Sequence, residues 1–136
     1  MDFVLDASVG AGWIIKNQVS TYSEAAKVAL LANQAHAPAL WWLEITNMLR
    51  TGCQRRSITA TEAQGFIKSL QAFPILFAPI EGNASDLFAL ALRYRLTTYD
   101  ATYLDLALRL QLPIATRDEA LREAALASGV GVWMPA

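Results

Sequence analysis

Short apolar runs without charge recur between amphipathic stretches of this chain, and they constrain its fold more than any other feature. "FVL" stops at Asp6, and "PIAT" is followed by Arg117 and Asp118. Runs this short and apolar read as strands buried on both faces, the habit of a parallel sheet. "HAP", "FPILFAPI" and a final "VGVWM" supply further strands. The intervening segments read as helices. "SEAAKVALLANQA" starts at Ser23, its expected N-cap, and Leu40 to Arg56 has helical periodicity. "TATEAQGFIKSLQAF" carries a capping box at Thr59 and Glu62. "NASDLFALALRYR", "DATYLDLALRL" and "DEALREAALAS", stopped by Gly129, complete the set. Such alternation over 136 residues predicts a single α/β domain, residues 1–136, with a parallel sheet flanked by helices.

Several classes are disfavoured at once. No stretch reaches the roughly 18 apolar residues of a membrane span. The longest uncharged run, Val28 to Leu43, is interrupted by Asn33, Gln34, His36 and Pro38. "MDFVLDAS" has no basic leader, so no signal peptide is expected. Cys53, the only cysteine, excludes an internal disulfide and fits a reducing cytoplasm; its ordinary reading is a small core residue. A net charge of −1 does not mark a nucleic-acid binder. That balance would turn positive, however, if bound cations neutralised four acids. Apolar content of 54% exceeds the soluble average of about 45–50%. With Trp13, Trp41, Trp42 and Trp133, it points to a homodimer and an apolar groove for a partner; the alternative is that all four tryptophans are core.

The acids are few, and their positions are informative. Asp6 ends the first strand and Asp118 follows a later one. Ligands in open α/β sheets sit beyond the carboxyl ends of strands. Each acid could instead cap the helix that follows, but two at one edge favour a site. Glu44 lies at the border of an apolar arc near Trp41 and Met48, with Asn47 and Thr51 toward the other side. No Lys or Arg stands at 40, 41, 47 or 48 to pair with it, which leaves an ion pair from elsewhere as the plain alternative. On a helix from Asp100 to Leu110, the apolar arc comprises Tyr103, Leu104, Leu106, Ala107, Leu108 and Leu110. Asp100 projects into that arc. Asp105 falls on the polar side with Thr102 and Arg109, the latter at ion-pair spacing.

Four carboxylates brought together repel, so some must be protonated or a cation must be present. Oxygen ligands select Mg²⁺, Mn²⁺ or Ca²⁺, and Cys53 with His36 is too little for zinc. There is no glycine-rich phosphate loop, and the single His36 lies in an expected strand, which leaves no Ser-His-Asp set.

"VLDASV", "PALWWLEITNML", "LTTYDATYLDLAL" and "PIATRDEALREAA" occur in this order over nearly the whole chain. Together they resemble the PIN-domain ribonucleases, most closely the VapC-type toxins of toxin–antitoxin pairs. The resemblance maps the metal-binding acids onto Asp6, Glu44, Asp100 and Asp118, and implies that Ser8, Asn47 and Thr116 support them by hydrogen bonds. It further implies a parallel sheet of order 3-2-1-4-5 and Mg²⁺- or Mn²⁺-dependent RNA cleavage. A homodimer and a cognate antitoxin that occludes the site belong to the same expectation. Asp105 departs from the commonest pattern, which has a small or apolar residue there.

A metal-activated water would leave a 5′-phosphate and a 3′-hydroxyl, with Arg117 and Arg50 as candidate contacts to the RNA backbone. Two rivals remain. A receiver-like regulatory module needs an Asp after the third strand and a Lys near the last, where "LFAPIEG" offers Glu81 and the last strand has no Lys. A catalytically silent PIN-like binding module is opposed by the intact set of four acids.

Overall fold

Three of the apolar runs are buried wholly or nearly so, as two-sided burial demands. In the computed structural model, which describes all 136 residues, β1 spans Phe3–Leu5, β2 Ala35–Pro38, β3 Ile75–Ala78 and β4 Ile114–Ala115. They form one parallel sheet of order β3-β2-β1-β4, with Val4 opposite both His36 and Ile114. Around it lie α1 (Ala7–Ala11), α2 (Thr21–Ala29), α3 (Leu40–Gln54), α4 (Ala60–Leu70), α5 (Ala84–Tyr94), α6 (Thr98–Leu110) and α7 (Glu119–Ser128).

Parallel topology has a direct consequence for the acids. Each crossover helix runs back against the strands, so its N-terminus lies at the sheet edge where strands end. Asp6 leaves β1 at that edge, and Asp118 starts α7 just after β4. Glu44 lies in the opening turns of α3, immediately after β2, while Asp100 sits in the first turn of α6.

One core of 25 buried residues holds the layers together, with Phe3, Leu5, Trp41, Ile45, Tyr103, Leu104 and Leu121 fully enclosed. Burying a side chain of this size contributes about 1.5–3 kcal/mol. Trp41 also fixes how closely α1 approaches α3. A Cβ on Gly10 would lie 2.6 Å from the indole Cζ2, so only glycine fits without displacement. The indole N–H of Trp41 has no acceptor; its ring is held by packing, edge-on to Trp42 at 5.1 Å. All four tryptophans pack on this core. Trp41 and Trp133 are buried in it, whereas Trp13 and Trp42 stay partly exposed at its margin. Exposed large apolar side chains are spread over the surface, and five of them belong to the edge strand β3 (Leu76 and Phe77), the loop after it (Ile80) and α5 (Phe88 and Leu92).

Other expectations need correction. The fifth strand is reduced to a single bridge, Val132 opposite Ile114. Its neighbour β4 has only two residues, Gly129 and Gly131 both adopt positive φ, and Pro135 follows, so a longer ladder has no room. The order 3-2-1-4-5 thus shortens to 3-2-1-4 plus that bridge. Ser20 caps α2, not Ser23, which is buried one turn inside and donates its N–H to Ser20 Oγ at 3.0 Å. The helix also stops at Ala29, because β2 begins at Ala35. Asp100 does not open its helix: Thr97 caps α6 and accepts the Asp100 N–H. On α6, Thr102 is buried and Leu110 is 40% exposed, the reverse of the expected arc. Thr102 tolerates burial because its hydroxyl donates to the Tyr99 carbonyl at 2.6 Å.

Candidate active site

The acid at the end of β1 is the best enclosed. Asp6 is 4% exposed and occupies the N-cap position of α1 without capping it through its side chain. Its Oδ2 instead accepts hydrogen bonds from Ser8 Oγ at 2.6 Å and Thr116 Oγ1 at 2.8 Å. Both hydroxyls are oriented from behind. Ser8 Oγ accepts the Arg117 N–H and Thr116 Oγ1 accepts the Asp118 N–H, each at 3.0 Å, so their protons are free for Asp6. Burial nonetheless raises the Asp6 pKa; the two hydroxyls oppose the rise, and Asp118 adds to it.

Asp118 does cap its helix: Oδ2 accepts the Leu121 N–H at 2.9 Å, and the side chain is exposed. Asp100 is half-buried, and no basic side chain pairs with its carboxylate. Burial, reinforced by Asp6 and Asp118, pushes it up to about 6 from an ordinary 3.8, and the Thr97 side chain lowers it only slightly. Glu44 is raised as well, first by burial and then by Asp6 and Asp100, against the lowering effect of a hydrogen bond from Tyr103. That bond, Tyr103 hydroxyl to Glu44 Oε1, is 2.5 Å long. Asp6, Glu44 and Asp100 are thus each raised in part by an acid on another element. The ion pairs of the protein are His36–Asp2, Arg109–Glu81 and Arg109–Asp105, and none involves the four.

Asn47 does not join them. It is exposed one turn beyond Glu44, with no hydrogen bond to any of the four, and lines a groove of about 790 Å³ between the segment after α1 and helices α3 and α4. Ile14, Met48, Ile58 and Phe66 line it together with Lys16 and Arg55. The arginines proposed for RNA are engaged elsewhere: the Arg117 guanidinium donates to the Gln18 carbonyl, and Arg50 to Gln54 at 3.2 Å. Two contributors escaped the sequence reading. Thr97 fixes the turn that carries Asp100. Tyr103 fits the apolar arc by periodicity, and the sequence signal of its second role is a hydroxyl three residues after Asp100.

The donor set fits a hard divalent cation. All four groups are oxygen ligands, three of them held above their ordinary pKa, and no basic side chain forms an ion pair with any of them. No three of the acidic, histidine or cysteine side chains are grouped closely enough to hold a metal ion together. Mg²⁺ does not need such a grouping, since it keeps several waters and takes one or two carboxylates directly.

The family model of the PIN domain matches residues 3–126. Ribonuclease VapC3 of Pyrobaculum aerophilum is 30% identical over 128 residues, which cover 90% of this chain and 94% of that protein.

Proposed function

This chain belongs to the PIN-domain family, and from that membership we propose that it is a Mg²⁺- or Mn²⁺-dependent endoribonuclease, the toxin of a toxin–antitoxin pair. The observation that carries the reading is a cluster of carboxylates at one sheet edge with no basic side chain paired to them. Asp6, Glu44, Asp100 and Asp118 would hold the cation. When bound, it supplies a water of lowered pKa and neutralises charge on the phosphodiester.

The protein's own part is to keep the acids in place. Ser8 and Thr116 fix Asp6 Oδ2, leaving Oδ1 without a side-chain donor. Asp118 spends Oδ2 on its helix and keeps Oδ1. The N-termini of α6 and α7 bring their positive dipole ends beside Asp100 and Asp118, which moderates the repulsion. The relative's name supports RNA as substrate. The groove lined by Asn47, Met48 and Phe66 offers an antitoxin segment apolar surface, and β3 with α5 offers it to a second copy.

The test is cleavage of total RNA by the purified chain. We expect activity with Mg²⁺ or Mn²⁺, loss in EDTA, and no rescue by Zn²⁺. Cleavage unchanged in EDTA would sink the reading. Light scattering should give twice 14.9 kDa; a monomer at high micromolar concentration would remove the dimer.

A further inference from the structure

Tyr103 is completely buried, yet its hydroxyl reaches the acid cluster. It donates to Glu44 Oε1 at 2.5 Å, bridging helices whose contributing residues are 59 positions apart. Phenylalanine would fill the same core volume, so packing alone does not require the hydroxyl. Tyr103 also stands one turn beyond Asp100 on α6. One helix therefore carries an acid in its first turn and, in the next, the group that restrains an acid on α3.

The chemistry of the donor matters. Glu44 makes no other hydrogen bond and no ion pair. A lysine or arginine in this place would hold it more strongly, but would cancel the negative charge that attracts a cation. A neutral phenol restrains the carboxylate and leaves its charge intact. Short O–H···O⁻ bonds of roughly 2.5–2.7 Å are among the strong ones, and the enclosed ring has no freedom to follow a departing side chain. Asp6 and Asp100 both repel Glu44. Without a restraint, a half-buried glutamate with three rotatable bonds would turn away.

We propose that Tyr103 is a positioning residue: its hydroxyl holds Glu44 Oε1 in the cluster and leaves Oε2 free for a divalent cation. This rests on the metal-dependent reading above.

The test is calorimetric titration of the metal-free full chain with Mn²⁺, on the parent, Tyr103→Phe, Glu44→Gln and the double variant, with melting curves to confirm folding. Loss of a group that orients a metal ligand typically costs about 10–100-fold in affinity. We expect Tyr103→Phe to bind Mn²⁺ about 10-fold more weakly. Glu44→Gln should lose at least as much. The double variant should match Glu44→Gln, because the hydroxyl then has no charged ligand left to position. In RNA cleavage, Tyr103→Phe should lower kcat and leave KM unchanged. Equal Mn²⁺ affinity in parent and Tyr103→Phe, or losses that simply add, would overturn the inference while the metal reading stands. A parent that takes up no Mn²⁺ would overturn both. Should Tyr103→Phe fail to fold, Glu44→Asp serves instead. It keeps the charge but is too short to meet the phenol, and it should bind Mn²⁺ as weakly as Glu44→Gln; parent-like affinity would overturn the proposal.

Discussion

Helix α6 carries two aspartates, each part of a group of acids, and the groups differ in how their charge is compensated. On one side, Asp100 faces Asp6, Asp118 and Glu44, and no cationic side chain is paired with any of them. On the other, Asp105 and Glu81 share Arg109, whose guanidinium donates at 2.8 Å and 3.1 Å. The second group is closed within the chain: it ties the loop after β3 to α6 and asks nothing of the solvent. The first group stays open: it has no such partner among the chain's basic side chains. Proximity of acids is thus uninformative by itself; what separates a site from a surface bridge is whether the chain supplies the opposite charge.

The sharpest way to break this comparison is to remove charge from the open group. Asp100→Asn and Asp118→Asn should each lower RNA cleavage by orders of magnitude with the fold retained. Asparagine at 118 can still cap α7, since it ranks with aspartate as an N-cap. Lost activity in that variant would therefore report the missing charge and not a frayed helix. Circular dichroism and cleavage assays on the purified variants decide it, and an active Asp100→Asn enzyme would contradict the assignment.

A smaller effect should appear in stability. The carboxyl of Asp100 is held at about 6 in the folded protein against an ordinary 3.8. Between those values the native chain keeps a proton that the unfolded chain has lost, so stability falls as pH rises through this window. The penalty is complete above about pH 6, and the raised groups Asp6 and Glu44 act in the same direction. In EDTA, Asp100→Asn should melt above the parent at pH 7, and the gap should shrink toward pH 4. Mn²⁺ at pH 7 should raise the parent's melting temperature more than the variant's. A gap that stays constant with pH would refute the electrostatic account.

The smallest effect belongs to the closed group. Asp105→Asn should leave cleavage within a few-fold of the parent, because Arg109 retains Glu81 and Asp105 faces away from the other acids. A dead Asp105→Asn enzyme would erase the distinction between the two sides of α6.

Much of this was legible in the chain, for reasons that can be named. Asp6, Glu44, Asp100 and Asp118 stood out because short buried strands and helix arcs leave few places for an unpaired acid. Parallel topology then gathers strand ends and helix starts at one edge. The pairing of Asp105 with Arg109 followed from helical spacing alone. What failed depended on tertiary neighbours. Thr102 is buried and Leu110 exposed because packing around α6, not its own periodicity, decides which flank is covered. Ser23 was mistaken for a cap because serines at 20 and 23 both suit the role, and only the buried position of the second distinguishes them. Asn47 shares a helix with Glu44 but projects from another part of its circumference, toward the groove. Tyr103 was hidden because its ring satisfies the apolar pattern completely.

The meeting of Gly10 with the indole of Trp41 sets a measurement as well as a fit. Asp6 enters the cluster on the chain that becomes α1, and Glu44 enters it one turn beyond Trp41 on α3. The separation between these two acids is therefore gauged at a point that neither occupies, by the thickness of an aromatic ring lying against bare backbone. A molecular calliper of this kind has no adjustable side chain at its contact: the jaw opening is set by atoms that are absent.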